Sequence, residues 1–167
     1  MPDAAVTRLL EAIRGWREAN EAAAVVVAID GHGAAGKSTL AQALARESGA
    51  TLVHMDDFFH AARPTDDPRP MARYYDWDGL RSRALAPRIS AGALILVEGV
   101  SSSGPALADL VTHTVLVDTP QAIRLERLRA LYTAAEWDHD WLAAEEDYFA
   151  TRPATAFDLV VSGAGAA

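Results

Sequence analysis

Residues Gly31 to Ser38 combine glycines, a lysine and a serine at the spacing G-x-x-x-x-G-K-[ST]. The glycines let the backbone curl with its N–H groups pointing inward, which suits a bound anion. A helix N-terminus behind the loop would add about half an elementary positive charge. Lys37 can supply a point charge for the β- and γ-phosphates of a nucleotide, and Ser38 a hydroxyl for Mg²⁺. The spacing therefore predicts a phosphate-binding loop rather than a chance glycine-rich turn.

The residues on either side provide the context that this motif requires. An apolar, β-branched run from Val25 to Ile29 predicts a strand buried on both faces. A helix-forming run from Thr39 to Arg46 follows the loop, and Gly49 is placed to end that helix. Lys37 is the only lysine among the 15 basic residues, at a position where an ammonium and a guanidinium are not equivalent. The residues predicted to bind the nucleotide are Gly31, Gly33, Ala34, Ala35, Gly36, Lys37, Ser38 and Thr39.

The composition excludes several classes of function. With 167 residues, half of them hydrophobic, the chain is long enough for one α/β domain and too short for two. A net charge of −8 argues against a nucleic-acid-binding or membrane-binding surface. The absence of cysteine excludes disulfides, thiol catalysis and cysteine-ligated zinc. No apolar run is long enough to span a membrane, and charged residues interrupt any signal peptide. We therefore expect a cytoplasmic protein, and the oligomeric state is left open.

The pattern along the rest of the chain predicts an alternation of helices and strands. The predicted helices are an amphipathic Asp3–Ala22 with Asp3 as N-cap, Gly79–Ser90, Pro105–Leu110, a helix from Thr119 as N-cap to about Tyr132, and Asp138–Ala150. The further predicted strands are Thr51–Met55, Ala93–Val97, Thr114–Val117 and Asp158–Val161, with a flexible tail from Gly163. Five strands alternating with helices predict an α/β fold, a parallel sheet with helices on both faces.

Residues 58–78 form a long polar stretch that contains three prolines and several aromatic residues. Loops of this length in compact domains are functional or disordered, and the aromatic content favours a loop that faces a substrate. Tyr75 is a candidate substrate contact in this loop. Arg63 and Arg73 are further candidates, and because arginine suits phosphate oxygens they leave a phosphorylated acceptor open.

Acidic residues follow two of the predicted strands. Asp56 and Asp57 come at the end of the second strand and Glu98 at the end of the third. Ligands of open α/β sheets bind at these carboxyl ends. Asp56 is placed to take a proton from an acceptor hydroxyl or to hold Mg²⁺ through water, and Glu98 to lie on the Mg²⁺ side. The alternatives are that Asp57 caps a turn and that Glu98 is a solvated strand end.

Residues 120–150 are predicted to form a lid. Arg124 and Arg127 follow the fourth strand, where arginines on a mobile segment can close over a transferring phosphoryl group. The alternative is an exposed charged helix face, because the two are i, i+3 neighbours around Glu126. The acidic run at residues 145–147 is interpreted as a solvated face. Four histidines do not have the spacing of metal ligands and are interpreted as structural: His54, His60, His113 and His139.

Taken together, these motifs resemble those of the uridine kinase-like nucleoside kinases, within the P-loop kinases. The resemblance covers Val25 to about Gly163 and depends on four segments: GHGAAGKST, MDDFF, YDWDGL and LVEGV. It implies a sheet of strand order 2-3-1-4-5 and Mg-ATP-dependent phosphorylation of a hydroxyl on a small acceptor. It also implies a catalytic role for Asp56, a contact of Asp76 with sugar hydroxyls, a Mg²⁺-side role for Glu98, and lid roles for Arg124 and Arg127.

Three functional classes remain to be compared. A small-molecule kinase is the leading hypothesis, with a nucleoside, a nucleoside monophosphate or another metabolite alcohol as acceptor. A GTPase is disfavoured because the guanine-reading N-K-x-D motif needs a second lysine, which the chain lacks. A nucleotide-binding regulatory module without catalysis is the third class, and such a module would have no need of Asp56 opposite the γ-phosphate.

Overall fold

The computed structural model describes residues 4–19, 23–133 and 138–164. Its strands are β1 (Val25–Asp30), β2 (Thr51–His54), β3 (Leu94–Glu98), β4 (His113–Asp118) and β5 (Leu159–Ser162). These five strands form one parallel sheet in the order β2-β3-β1-β4-β5. The predicted α/β fold class and the predicted strand order are both confirmed.

The helices are α1 (Ala4–Ala19), α2 (Lys37–Ser48), α3 (Trp77–Gly79), α4 (Ala86–Ser90), α5 (Gln121–Leu131) and α6 (His139–Ala150). A π-helical segment, Leu80–Leu85, joins α3 to α4, so the helix predicted over residues 79–90 has an irregular middle. Helix α2 ends as predicted at Gly49, which adopts a left-handed conformation with φ of 72°. None of the helices in the described residues is long and apolar enough to cross a membrane.

Strand β1 lies at the centre of the sheet, and all six of its residues are buried. Its side chains alternate between two hydrophobic cores, one on each face of the sheet. Val25, Val27 and Ile29 pack with residues of α1 and α2 on one face. Val26 and Ala28 pack on the other face with residues from the 58–78 loop, α3 and α6. Because both faces are covered, the carboxyl ends of the strands are the part of the sheet left open to a ligand.

Several predicted boundaries were wrong. The second strand ends at His54, and Asp56 and Asp57 lie in a 3₁₀ turn, Met55–Phe58. Residues 105–110 form consecutive turns rather than a helix, with backbone hydrogen bonds between residues three apart, Leu107 N–H to Gly104 O and Leu110 N–H to Leu107 O. Pro120 and not Thr119 is the N-cap of α5, since the Thr119 hydroxyl is donated to Ala35 O instead.

The C-terminal end of the chain also differs from the expectation, at Gly163. Gly163, expected to start a flexible tail, donates its N–H to Asp118 O over 2.9 Å. Its carbonyl oxygen accepts a hydrogen bond from Arg127. The N-cap role of Asp3 and the last residues of the tail lie outside the described residues.

Candidate active site

The loop between β1 and α2 has the conformation that its glycines allow. Gly31 has φ of 146° and Gly36 has φ of 99°, both in the region that favours glycine. A Cβ atom on Gly31 would lie 2.5 Å from Val117 O, so no other residue fits there without movement. Ala34 also has a positive φ, 58°, a conformation that costs a non-glycine residue about 1 kcal/mol. The chain therefore holds this loop in a strained, tightly curled form directly before the N-terminus of α2.

Lys37 is the first residue of α2 and is only 8% exposed. Its Nζ donates a hydrogen bond to the His32 carbonyl oxygen over 2.8 Å, so the ammonium folds back over the loop. Burial lowers the pKa of Lys37, and the charges of Asp30, Glu145, Glu98 and Asp56 oppose that shift, in decreasing order. Four carboxylates around one ammonium create a site for a positive charge that an anion can approach only from the cavity side.

A cavity of about 1210 Å³ opens over this loop. Its volume exceeds that of a typical small-molecule pocket. The cavity brings together residues from the carboxyl ends of all the strands that the sequence analysis singled out. Among its lining residues are Gly33, Ala34, Gly36, Lys37, Ser38, Thr39, Asp56, Phe59, Glu98, Arg127, Trp141 and Glu145.

Glu98 and Ser38 form a pair of oxygen donors on the floor of this cavity. The Ser38 hydroxyl donates to Glu98 Oε1 over 3.1 Å, and His54 Nδ1 lies 2.6 Å from the same oxygen. Glu98 is 3% exposed, so the interpretation as a solvated strand end is wrong. Mg²⁺ uses one or two protein oxygens and completes its shell with water and phosphate oxygens. No cluster of three or more histidine, aspartate or glutamate ligands occurs in the described part of the chain, and this pair fits Mg²⁺.

Asp56 lies in the 3₁₀ turn after β2 and is exposed to the cavity. Asp57 is also exposed, but it is not among the residues that line the cavity. Because both lie in a turn and not at a strand end, their different directions come from the turn of the 3₁₀ helix and not from the alternation of a strand. Of these two carboxylates, Asp56 is therefore the one that lines the cavity.

The 58–78 loop is fastened at its base by antiparallel backbone pairing. Phe59 forms a bridge with Tyr75, and the Asp76 N–H donates to Phe58 O over 2.9 Å. This pairing places the Phe59 ring, 46% exposed, in the cavity. Tyr75 is 3% exposed, and its hydroxyl has no hydrogen-bond partner among the described residues. Burial raises the pKa of Tyr75, with Asp56 the largest of the charges that add to the shift, so this buried hydroxyl is a protonated donor, and Tyr75 is not among the residues that line the cavity.

The other candidate substrate residues of this loop lie elsewhere. Asp76 caps α3 by accepting from Gly79 N over 2.9 Å, and its second oxygen accepts from Arg83 over 2.7 Å. These contacts lower the pKa of Asp76, the backbone hydrogen bond first. Arg63 and Arg73 are exposed, and neither lines the cavity. The structure therefore does not bring these three residues to the phosphate-binding loop.

The two lid arginines are both engaged with the backbone. Arg124 is 8% exposed, and its Nε donates to Thr119 O over 3.2 Å. Arg127 donates to Ala34 O and to Gly163 O, each over 3.0 Å, and so bridges the phosphate-binding loop and the end of β5. The alternative of an exposed charged helix face is therefore wrong for both. Only Arg127 lines the cavity.

Asp30, the last residue of β1, organises a buried network that the sequence analysis missed. Its carboxylate accepts hydrogen bonds from the backbone N–H groups of Gly31, Ser101 and Ser103, and from the hydroxyls of Ser103 and Tyr148. Asp30 is fully buried. An acidic residue at the end of a buried strand was the signal that could have revealed it, because a buried carboxylate needs donors.

Glu145 is the second residue that sequence reasoning missed. It was assigned to a solvated face, yet it is 1% exposed, and its Oε1 accepts a hydrogen bond from Gly33 N over 2.6 Å. Burial raises the pKa of Glu145. The signal was helical spacing, because Glu145 lies between Trp141 and Tyr148 on the stripe that α6 packs inward. Next to it, the Phe149 ring stacks on His32 with centroids 4.0 Å apart.

No protein-family model matches the chain, and no curated protein matches it in sequence. Solved structures do resemble it. One is described as a possible uridine kinase from Bacillus stearothermophilus, with 19% sequence identity, a TM-score of 0.65, and coverage of 93% of this chain and 96% of that chain. Another is a sugar kinase from Janibacter sp. HTCC2649, with 18% identity, a TM-score of 0.59, and coverage of 84% and 86%. With its phosphate-binding loop and its strand order, the chain has the fold of the P-loop kinases.

Proposed function

We propose that this chain is a Mg-ATP-dependent kinase that transfers the γ-phosphate to a hydroxyl of a small acceptor. The observation that carries the proposal is that Asp56 lines the same cavity as Lys37, Ser38 and Glu98. A binding-only module needs the loop and the magnesium ligands, but it does not need a carboxylate on the acceptor side. The solved structures that resemble the chain are described as a uridine kinase and a sugar kinase, which agrees with phosphoryl transfer to an alcohol.

Each residue has a role in the proposed reaction. The amides of the loop and Lys37 would hold the phosphates, and Ser38 and Glu98 would hold Mg²⁺, which would supply positive charge to offset the negative charge of the phosphates. Asp56 orients the acceptor hydroxyl and takes its proton as the oxygen attacks the γ-phosphorus. A new O–P bond forms on the acceptor, the bond from the γ-phosphorus to the β,γ-bridging oxygen breaks, and ADP leaves. Arg124 and Arg127 would contact the transferring group only if α5 moved, because their nitrogens now bond backbone carbonyls.

A nucleoside is the acceptor we favour. Phe59 and Trp141 line the cavity with their ring centroids 5.3 Å apart, which offers flat apolar surface to a base. Asp138 and Asp56 add negative charge to the same cavity, and Arg63 and Arg73 do not line it. This charge balance favours an acceptor that carries no phosphate over a nucleoside monophosphate.

A screen of acceptors tests the function. Purified protein with Mg-ATP is assayed for ADP release with uridine, cytidine, their monophosphates, and a set of sugars and sugar acids. We expect acceptor-dependent release with a nucleoside and none above background with its monophosphate. The Asp56→Asn variant is the control for contaminating kinases, because it should lose the acceptor-dependent signal. ADP release with a sugar alone would support the kinase function but identify a sugar, and not a nucleoside, as the acceptor. ATP binding without ADP release for any acceptor would favour the regulatory module.

A further inference from the structure

Glu145 occupies a backbone donor of the phosphate-binding loop. The Gly33 N–H is one of the groups that the loop motif provides for an anion, and Glu145 Oε1 accepts it over 2.6 Å. A Cβ atom on Gly33 would lie 3.3 Å from that same oxygen, so the carboxylate sits directly against the loop. A negative side chain of α6 therefore takes a position that the loop offers to a phosphate oxygen.

The position of Gly33 in the loop indicates which phosphate of a bound nucleotide would compete with Glu145 for the Gly33 N–H. The amides next to α2, at Lys37 to Thr39, hold the phosphates nearer the nucleoside, and the lysine ammonium reaches the β- and γ-phosphates. Lys37 Nζ donates to His32 O, the residue directly before Gly33. Gly33 thus lies at the end of the loop where a third phosphate would be placed, away from Thr39.

Helix α6 is held in this place by a second buried contact. Tyr148, three residues after Glu145 and on the same face of α6, donates its hydroxyl to Asp30 at the start of the loop. Both side chains are at least 96% buried, so the contact with Gly33 is part of a packed interface and not of a mobile surface. A phosphate oxygen can reach Gly33 N–H only when Glu145 leaves it, because two anions cannot share one donor at this distance.

We propose that Glu145 is a specificity-determining residue that sets the preference of the nucleotide site between triphosphate and diphosphate. A diphosphate fits at the α2 end of the loop while Glu145 stays on Gly33. A triphosphate must displace the Glu145 side chain from Gly33, and this removes one of the buried contacts that hold α6. The inference rests on the proposed nucleotide-binding function and adds to it that ATP binding and the contact of Glu145 with Gly33 exclude each other, whereas ADP binding and that contact do not.

Equilibrium binding of both nucleotides tests this inference. Mg-ATP and Mg-ADP are titrated calorimetrically, without an acceptor, into the wild type and into the Glu145→Gln and Glu145→Ala variants. Removing the charge should tighten ATP binding by at least about 5-fold, the lower end of typical coupling between sites, and should change ADP binding by less than about 2-fold. Glu146→Gln is the matched control, because its carboxylate is exposed and lies 3.7 Å from His32. It should leave both affinities unchanged.

Hydrogen exchange of the wild type gives a readout that does not depend on a variant folding. Amides of α6 should exchange faster with Mg-ATP bound than with Mg-ADP bound. The inference is overturned if α6 is equally protected in both complexes, or if the ratio of ATP affinity to ADP affinity is the same in all variants. Neither result would contradict the proposed kinase function. If neither nucleotide binds to the wild type, the proposed function itself fails.

Discussion

The Tyr148 hydroxyl donates a hydrogen bond to Asp30 Oδ2 over 2.6 Å and thereby joins α6 to the strand that carries the phosphate-binding loop. Asp30 is fully buried, and Tyr148 is 4% exposed. Burial raises the pKa of Tyr148, and the charge of Asp30 raises it further, so the hydroxyl is protonated and can donate at neutral pH.

Removing this donor should destabilise the protein. In Tyr148→Phe the ring still fills its place in the core, but Asp30 loses one of its hydrogen bonds. Loss of a buried hydrogen bond to a carboxylate costs roughly 1–3 kcal/mol. Urea unfolding measures the free energy of unfolding, with Tyr132→Phe as the control because that residue is 51% exposed. An equal change in both variants would show that the contact with Asp30 contributes nothing.

Lys37→Ala should abolish turnover and weaken Mg-ATP binding. No other lysine exists in the chain, and Arg127, the other cation of the cavity lining, is held by backbone carbonyls. Calorimetric titration with Mg-ATP measures the affinity, and ADP release measures the rate. Arg46→Ala, which removes an exposed basic residue from the same helix, is the matched control. Unchanged affinity and rate in Lys37→Ala would contradict the assignment of the loop.

Glu98→Gln should raise the Mg²⁺ concentration needed for half-maximal activity, since one negative ligand becomes neutral. The measurement is a Mg²⁺ titration of the rate at constant ATP, and Glu47→Gln on the exposed side of α2 is the control. The same variants should also be compared by thermal unfolding, because His54 and Ser38 both contact Glu98. If the Mg²⁺ dependence stays the same and only stability falls, Glu98 has a structural role.

Asp56→Asn should lower the acceptor-dependent rate by roughly 10²–10⁴-fold, the usual cost of losing a general base. ATP affinity should hardly change, because the carboxylate faces the acceptor and not the loop amides. Asp57→Asn is the matched control, since the neighbouring carboxylate is exposed but does not line the cavity. Full activity in the Asp56 variant, measured on folded protein, would contradict the mechanism. A loss confined to the Asp57 variant would assign the base to Asp57.

His32 should make the protein less stable in acid. Burial, followed by the charges of Arg124 and Lys37, lowers the pKa of His32 to about 4. The unfolded chain, with an ordinary histidine pKa near 6.5, then binds a proton that the folded chain does not. Stability is complete above pH 6.5 and falls as the pH drops toward 4, by on the order of 1–2 kcal/mol after allowance for partial solvent screening. Urea unfolding from pH 4 to 7 should be flatter over this range in His32→Gln, and identical profiles would exclude His32 as the cause.

Much of the fold could be predicted because its strands are continuous apolar runs. The strand Val25–Asp30 is buried on both faces and is apolar in every residue before Asp30, so most of its length is visible in the sequence. The turns after the strands were harder. The 3₁₀ turn at Met55 and the turns after Pro105 are held by local hydrogen bonds between residues three apart, such as Phe59 N–H to Asp56 O and Leu110 N–H to Leu107 O, and the sequence pattern does not distinguish these from a strand end or the first turn of an α-helix.

Some residues of the candidate site could likewise be predicted from the sequence, and others could not. Lys37, Ser38, Asp56 and Glu98 were predicted because the motifs and the strand ends place them, and the structure brings all four to one cavity. Glu145 was missed because a charged residue on an acidic helix is usually solvated, and only its contact with Gly33 explains its burial. Arg63 and Arg73 show the opposite error, since the spacing of a loop does not tell which side chains point inward.

The position of β1 in the sheet also affects how the chain folds. It is the first strand in the sequence, yet its two neighbours, β3 and β4, begin only at Leu94 and His113. A nascent chain that ends before β3 has therefore made the phosphate-binding loop without either strand that supports it. Pairing over such long separations is slow, so the aggregation-prone run VVVAI stays unpaired until those two strands have been synthesised.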